Sequence, residues 1–207
     1  MTAYTLSLAE PEAMGRAAAE HAARPLLKLK LTGEGDLERV RAVRSAAPAS
    51  RLIVDANEGW SAEHFERYAP ALAELGVALI EQPLPAGRDD ALAEMPHPVP
   101  VCADESCHTS EDVDGLVGKY EVVNIKLDKT GGLTEALLLV RAARARGFRL
   151  MVGCMGGPSL AMAPACFLAQ DAEFVDLDAP LLLAKDRQPG LRYDGSTVYP
   201  PKPALWG

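Results

Sequence analysis

The chain has 207 residues, of which 48% are hydrophobic and 24% charged, and its formal net charge is −8. This composition indicates a globular protein with enough apolar material for a sizeable core, in one large or two small domains. The acidic balance and the absence of a Lys/Arg-rich block argue against nucleic acid and anionic membranes as partners. No apolar run is long enough to span a bilayer.

The predicted elements alternate along the chain. Strands are predicted at residues 3–8, 26–31, 52–55, 77–81, 99–104, 122–126, 149–153 and 174–178. Helices are predicted between them at 10–22, 36–47, 61–75, 89–94, 110–117, 133–146 and 159–169, with Asp36 and Ser61 as N-caps. Residues from 179 onward are rich in proline and glycine, with a hairpin expected around Asp194–Gly195.

Strands that alternate with helices through short links must lie parallel, joined by crossover helices. About eight such repeats favour an α/β fold of the closed (β/α) barrel type, a TIM-like barrel. An open doubly wound sheet is the alternative, although no GxGxxG motif follows the first strand.

The second predicted strand carries two lysines, in the segment PLLKLK. Residues two apart in a strand share a face, so Lys28 and Lys30 point the same way. Neighbouring ammonium groups repel unless anionic groups face them, and each disfavours the other's charge, which suits a lysine to act as a base. An edge strand with one solvated face is the alternative interpretation.

Acidic side chains stand at the ends of the next three strands: Asp55, Glu81 and Asp104. In a barrel, the carboxyl ends of the strands form the face that holds the active site, so these carboxylates would converge. Three carboxylates in one place repel, and a hard divalent cation, Mg²⁺ or Mn²⁺, would relieve the repulsion. For any one acid, a helix cap or a loop hydrogen bond is the simpler explanation.

The sixth strand ends in Lys126, which we expect on the opposite side of the barrel from Lys30. A substrate carbon between these two amines could lose a proton on one face and regain it on the other. Asn57 and Glu105 follow metal-site candidates closely and could support them, but a turn role for Asn57 and a surface charge for Glu105 are equally good explanations.

Taken together, the segments KLK, DANEGW, EQP, ADES, NIKLDKTGG and DLDAP resemble the enolase superfamily, and are similar to the dipeptide epimerases of its muconate-lactonizing subgroup. The resemblance covers nearly the whole chain and implies a modified (β/α)7β barrel. It implies Mg²⁺ bound by Asp55, Glu81 and Asp104, with Lys30 and Lys126 as the acid/base catalysts.

The same resemblance implies further substrate contacts. Lys28 would hold the substrate carboxylate and its enediolate. The Asp176/Asp178 pair would take the N-terminal ammonium of a dipeptide, and Cys154, Met155 and Gly156 would line the pocket. The expected activity is a racemase or epimerase that removes and returns the α-proton of the C-terminal residue of a dipeptide.

Two other functions stay open. One is a different lysine-pair enzyme of the superfamily, a cycloisomerase or an o-succinylbenzoate synthase. The other is a barrel that binds metal or assembles without catalysis, which a missing lid would favour.

We expect residues 1–184 to form the barrel and residues 185–207 an irregular tail packed on it. Relatives carry an N-terminal capping domain, and the chain is expected to lack it because it begins at the first barrel strand. Either the chain is a fragment, or a partner supplies the lid, or the protein works differently. A homo-oligomer is a separate expectation, since members of such families often associate. Four cysteines without a CxxC pair and no signal peptide indicate reduced thiols in the cytoplasm.

Overall fold

A computed structural model describes residues 1–207, which divide into two compact units. The N-terminal unit comprises Tyr4–Ser106 and Leu116–Glu121. The C-terminal unit comprises Met1–Ala3, Cys107–Gly115 and Val122–Gly207. The predicted boundary between barrel and tail, after residue 184, stays a prediction.

Five parallel strands in chain order form the sheet of the N-terminal unit. They are β1 (Tyr4–Leu6), β2 (Leu26–Lys30), β3 (Arg51–Asp55), β4 (Val77–Glu81) and β5 (Val101–Ala103). The helices between them are α1 (Pro11–Glu20), α2 (Asp36–Ala46) and α3 (Ala62–Glu74), and a 3₁₀ segment, Asp90–Glu94, precedes β5. This is the strand–helix alternation that the sequence predicts.

Local sequence explains where these helices begin. Ser61 caps α3 as predicted, because its side chain accepts from the His64 backbone N–H while the His64 side chain contacts the Ser61 N–H. The prediction that Asp36 caps α2 is wrong. Gly35, with φ of 77°, is the N-cap residue, and Asp36 is already helical. Its carboxylate instead binds the preceding loop.

The C-terminal unit has a second parallel set of strands, β6 (Val122–Ile125), β7 (Arg149–Val152) and β8 (Phe174–Val175). Its helices are α4 (Leu127–Thr130), α5 (Leu133–Ala145), α6 (Ser159–Met162), α7 (Ala165–Leu168) and α8 (Ala179–Leu182), with a 3₁₀ turn at Ala169–Asp171. The predicted hairpin is confirmed, since β9 (Tyr193–Asp194) pairs antiparallel with β10 (Thr197–Val198).

Residues at the start of the chain complete the C-terminal unit. The backbone N–H of Ala3 donates to Val175 and that of Thr2 donates to Ser196, at 2.7 Å each. The Thr2 hydroxyl accepts from the Leu177 N–H at 2.8 Å. These contacts place the first three residues beside β8 and the hairpin.

Several predicted boundaries differ from the structure, two of them next to a proline. The helix predicted at 159–169 is broken into α6 and α7, since Pro164 lacks the N–H that a continuous helix needs. Strand β5 is shorter than predicted, since it begins at Val101, just after Pro100, which has no backbone N–H to donate, and ends at Ala103. The segment predicted as a helix at 110–117 is a 3₁₀ segment, Ser110–Leu116. Strand β8 ends at Val175, so Asp176 and Asp178 lie beyond it.

The helices are short: α3 and α5, the longest, have 13 residues each, and none is long and apolar enough to cross a membrane.

Candidate active site

Strand register places three charged residues side by side in the N-terminal unit. Lys30 on β2 pairs with Asp55 on β3, and Asp55 pairs with Glu81 on β4. Residues paired across parallel strands send their side chains to the same face of the sheet. Three successive strands therefore end in a lysine and two carboxylates that lie side by side on one face of the sheet, as the sequence predicts.

Both lysines of β2 face these carboxylates. The Lys28 ammonium lies 2.7 Å from Glu81 Oε2 and 3.1 Å from Asp55 Oδ2, with 2% of its side chain exposed. The Lys30 ammonium lies 2.7 Å from the same Asp55 oxygen, with 34% of its side chain exposed. The alternative of a solvated edge strand is wrong, because β2 pairs with β1 and β3 and Lys28 is buried.

The charge on Asp55 depends on the two lysines. Burial by itself would raise the pKa of Asp55, and the Asp104 carboxylate also raises it. The ammonium groups of Lys28 and Lys30 outweigh both effects and hold the pKa of Asp55 below its ordinary value. Asp55 is therefore a buried carboxylate that stays ionised.

The donor chemistry of Asp55, Glu81 and Asp104 suits a hard divalent cation. All three carboxylates are buried, with at most 1% exposed, and oxygen ligands of this kind are those that Mg²⁺ prefers. No group of three or more His, Cys, Asp or Glu side chains is gathered in a metal-binding arrangement, and ammonium groups balance Asp55 and Glu81 instead. The assignment of Asp55, Glu81 and Asp104 as metal ligands therefore stays a prediction.

The two predicted supporting residues differ in their surroundings. The Asn57 side-chain oxygen accepts from the Lys30 ammonium at 3.0 Å, and its backbone N–H donates to Asp55 at 3.0 Å. Its backbone has φ of 44°, a left-handed turn conformation. Asn57 therefore both forms a turn and contacts Lys30. Glu105, beside Asp104, is half-buried, and its predicted supporting role stays a prediction.

The remaining predicted residues belong to the C-terminal unit. Lys126 follows β6 directly and is 4% exposed. Asp176 and Asp178 follow β8 and are 5% and 3% exposed. Buried charged side chains at strand ends are uncommon unless partners or ligands await them, which is consistent with the predicted roles.

The predicted pocket segment of the C-terminal unit is open to solvent. Cys154 is half-buried, while Met155 is 47% exposed and Gly156 is exposed. Just before it, a Cβ on Gly153 would lie 2.7 Å from the Asn124 side-chain oxygen, so only glycine fits there. All four cysteines are free thiols, as predicted.

One residue of the site, Gln82 in the motif EQP, has no role that the sequence predicts. Gln82 is fully buried directly after Glu81, and its side chain bonds to the backbone of Asp104. A polar residue between a strand-end carboxylate and a proline was the available signal. Its side-chain partners Ser106 and Tyr120 are 24 and 38 residues away in sequence, so no local pattern predicts these contacts.

The chain is similar to a known family and to curated proteins. The family described as "Enolase C-terminal domain-like" matches residues 12–202. An N-acetyl-D-glutamate racemase from Pseudoalteromonas sp. is 51% identical over 205 residues, which are 99% of this chain and 65% of that protein. The L-Ala-D/L-Glu epimerase of Escherichia coli (strain K12) is 50% identical over 93% of this chain and 61% of that protein.

Solved structures also match. An enolase family member from Agrobacterium tumefaciens with homology to dipeptide epimerases, solved with sodium and L-Ala-L-Glu, is 59% identical with a TM-score of 0.98, over 100% of this chain and 63% of that one. A dipeptide epimerase from Cytophaga hutchinsonii, solved with Mg and D-Ala-L-Val, is 30% identical with a TM-score of 0.91, over 97% and 58%.

These matches confirm the predicted fold class, an α/β fold of the TIM-like barrel type. The chain spans between three fifths and two thirds of the length of the two curated relatives described above.

Proposed function

Because the chain belongs to the enolase C-terminal domain-like family, we propose that it is the catalytic part of an epimerase that acts at the α-carbon of the C-terminal residue of a dipeptide. The observation that carries this proposal is the row of Lys30, Asp55 and Glu81 on adjacent strands, with the buried Lys28 beside it. The names of relatives that share half of this sequence support the reaction class.

In the proposed reaction, Lys30 exchanges a proton with the substrate α-carbon. Its amine is partly accessible, whereas Lys28 is sealed among carboxylates. Asp55 and Asn57 hold the Lys30 nitrogen at 2.7 and 3.0 Å, which fixes where it can deliver or accept a proton. Lys126 is assigned the complementary proton transfer, by its place at the end of β6.

The difficult step is to form an enediolate, since a proton next to a carboxylate is a very weak acid. Lys28 supplies a buried positive charge that can stabilise it. A divalent cation such as Mg²⁺, held by Asp55, Glu81 and Asp104, would when bound add charge stabilisation worth several kcal/mol. The buried location of all these groups strengthens their electrostatic effect.

A test follows the α-proton directly. The protein is incubated with L-Ala-L-Glu and Mg²⁺ in D₂O, and deuterium incorporation and L-Ala-D-Glu formation are measured by mass spectrometry and chiral chromatography. Both products are expected. If no dipeptide of a broad library gains deuterium, the enzymatic proposal fails and the metal-binding or assembly alternative is favoured.

Variants of the lysines separate the two proton transfers. Lys30→Met and Lys126→Met should each lower the rate of epimerisation by about 10²–10⁴-fold. Each variant should still exchange the α-proton of one epimer, because the remaining lysine serves one face of the carbon. The exposed Lys185→Met is the matched control and should behave as the parent protein. Loss of exchange from both epimers in both variants would contradict two separate bases.

A second candidate is racemisation of an N-acylated glutamate, favoured by the relative from Pseudoalteromonas sp. named as an N-acetyl-D-glutamate racemase. N-acetylglutamate offers the same α-carbon but no ammonium group. Under the dipeptide proposal, Asp176 and Asp178 bind the N-terminal ammonium of the dipeptide. Asp178→Asn should then raise the KM for L-Ala-L-Glu about tenfold or more and leave the KM for N-acetylglutamate unchanged. A higher kcat/KM of the parent protein for N-acetylglutamate would favour the second candidate.

A further inference from the structure

Gln82 joins the ends of three neighbouring strands in the N-terminal unit. Its backbone N–H donates to the Cys102 carbonyl of β5, and its carbonyl accepts from the Glu58 N–H after β3, each at 2.9 Å. It directly follows Glu81, the last residue of β4. With φ of 35°, it has a left-handed backbone that is costly for a residue other than glycine, so these bonds hold it in an unfavourable conformation.

The Gln82 side chain uses all of its hydrogen-bonding capacity. Its oxygen accepts from the backbone N–H groups of Asp104 at 2.8 Å and Ser106 at 3.1 Å. Its nitrogen donates to the Leu84 carbonyl and the Ser106 hydroxyl at 2.8 Å each, and lies 3.0 Å from the Tyr120 hydroxyl. One buried amide thus fixes the backbone that carries the Asp104 carboxylate.

Asp89 determines which way this amide faces. Its carboxylate can only accept, so the hydroxyls of Ser106 and Tyr120, 2.6 Å away each, must donate to it. Their oxygens can then only accept, and they share the second hydrogen of the Gln82 amide, whose first hydrogen goes to the Leu84 carbonyl. The Lys119 ammonium, 2.7 Å from the other Asp89 oxygen, keeps that carboxylate ionised.

We infer that Gln82 is a positioning residue, oriented by Asp89 through Ser106 and Tyr120, that sets the separation of the Glu81 and Asp104 carboxylates. Gln82 is covalently joined to one of these residues and hydrogen-bonded to the other, so a change at Gln82 moves both. Since the inference rests on the proposed function, its consequence is that Gln82 determines the affinity of those carboxylates for a divalent cation.

The test measures cation affinity rather than activity. Mg²⁺ and Mn²⁺ are titrated calorimetrically into the parent protein and into Gln82→Met, without substrate. Methionine has a volume similar to that of glutamine but lacks its amide group. Gln82→Met should therefore weaken cation binding by about 10–100-fold. Circular dichroism and thermal unfolding without metal report whether each variant is folded.

Tyr120→Phe gives a milder test, in case Gln82→Met does not fold. It keeps the ring and removes one of the two hydroxyls that orient the amide, and should weaken cation binding several-fold. Gln170→Met is the matched control, since the Gln170 side chain donates to the Cys166 carbonyl within the C-terminal unit. It should bind cations as the parent protein does.

The outcomes separate this inference from the proposed function. If folded Gln82→Met and Tyr120→Phe bind Mg²⁺ within twofold of the parent, the role of Gln82 is merely structural and the inference is overturned. If the parent binds Mg²⁺ without exchanging α-protons while Gln82→Met binds it weakly, the proposed function fails and the positioning role holds. A parent that binds neither cation overturns both.

Discussion

The strand ends of the N-terminal unit and the last part of the C-terminal unit are stabilised in different ways. At the strand ends, buried charges contact one another across adjacent strands, as Lys28 contacts Asp55 and Glu81. In the segment 185–207, most residues are exposed, and apart from the β9–β10 hairpin a few side-chain hydrogen bonds hold irregular chain in place. Asp186, for example, is held by the hydroxyl and backbone N–H of Ser159.

This difference shows which groups of the protein are held in fixed positions. Charges held on adjacent strands cannot move without moving the sheet, which suits groups that must stay in place during proton transfer. A segment held by a few side-chain bonds can vary in sequence and position at little cost to the rest of the fold.

The largest expected effect comes from removing a charge at the strand ends. Lys28→Met should lower the free energy of unfolding by about 3–5 kcal/mol, because Glu81 and Asp55 would stay buried without their shared ammonium partner. Urea unfolding measures the loss, and the exposed Lys185→Met is the control. A loss below about 1 kcal/mol would show that these charges are not a stabilising unit.

A second variant tests a buried carboxylate, Asp36, that has one cationic partner, Arg39 at 3.0 Å, and otherwise accepts from neutral donors. Asp36 accepts from the backbone N–H groups of Thr32 and Gly33 and from the Trp60 indole, at 2.6–3.1 Å for the shortest contact of each. Asp36→Ala should cost about 2–3 kcal/mol by leaving buried donors unsatisfied. Chemical unfolding followed by Trp60 fluorescence measures it, with Asp36→Asn expected to lose less.

In the C-terminal unit, Ser159→Ala tests how strongly a few side-chain hydrogen bonds hold the segment 185–207. The Ser159 hydroxyl donates to Asp186 and accepts from the Leu191 N–H at 2.8 Å. Because the backbone N–H of Ser159 still binds Asp186 at 2.9 Å, the loss should be about 1–2 kcal/mol.

Hydrogen exchange is the sharper measurement for Ser159→Ala. The Leu191 amide should exchange faster while the amides of β2–β4 keep their protection. The exposed Ser7→Ala is the control. Equal acceleration in both units would mean that the segment is not anchored locally.

The smallest effect is a pH dependence at His97. The hydrogen bond and charge of Glu121, 2.8 Å away, raise the pKa of His97, although burial opposes them. A raised pKa in the folded state adds stability below the ordinary pKa of about 6.5, and that stability is lost as pH rises through the folded value.

Relative to His97→Gln, the parent should therefore lose less than about 1 kcal/mol of stability between pH 6 and 9, since Glu121 is 41% exposed and solvent screens the pair. Thermal unfolding across this range measures the difference, with the exposed His108→Gln as control. A stability difference that grows with pH would contradict the assigned sign.

By itself, the sequence determined the alternation of strands and helices and the placement of three charged residues side by side at adjacent strand ends. Lys30, Asp55 and Glu81 each end an apolar run, and parallel pairing puts the ends of such runs side by side. Hydrophobic periodicity and strand ends are local properties, which is why they can be read from neighbouring residues.

Only the tertiary structure decided how that row is supported. Gln82 meets Tyr120 and Ser106 across 38 and 24 residues of chain, and no local pattern predicts such a meeting. The same holds for Asp36, whose neighbours suggested a helix cap but whose carboxylate binds a loop and a distant indole. Buried polar groups take the partners that folding brings within reach, and those partners depend on the whole chain.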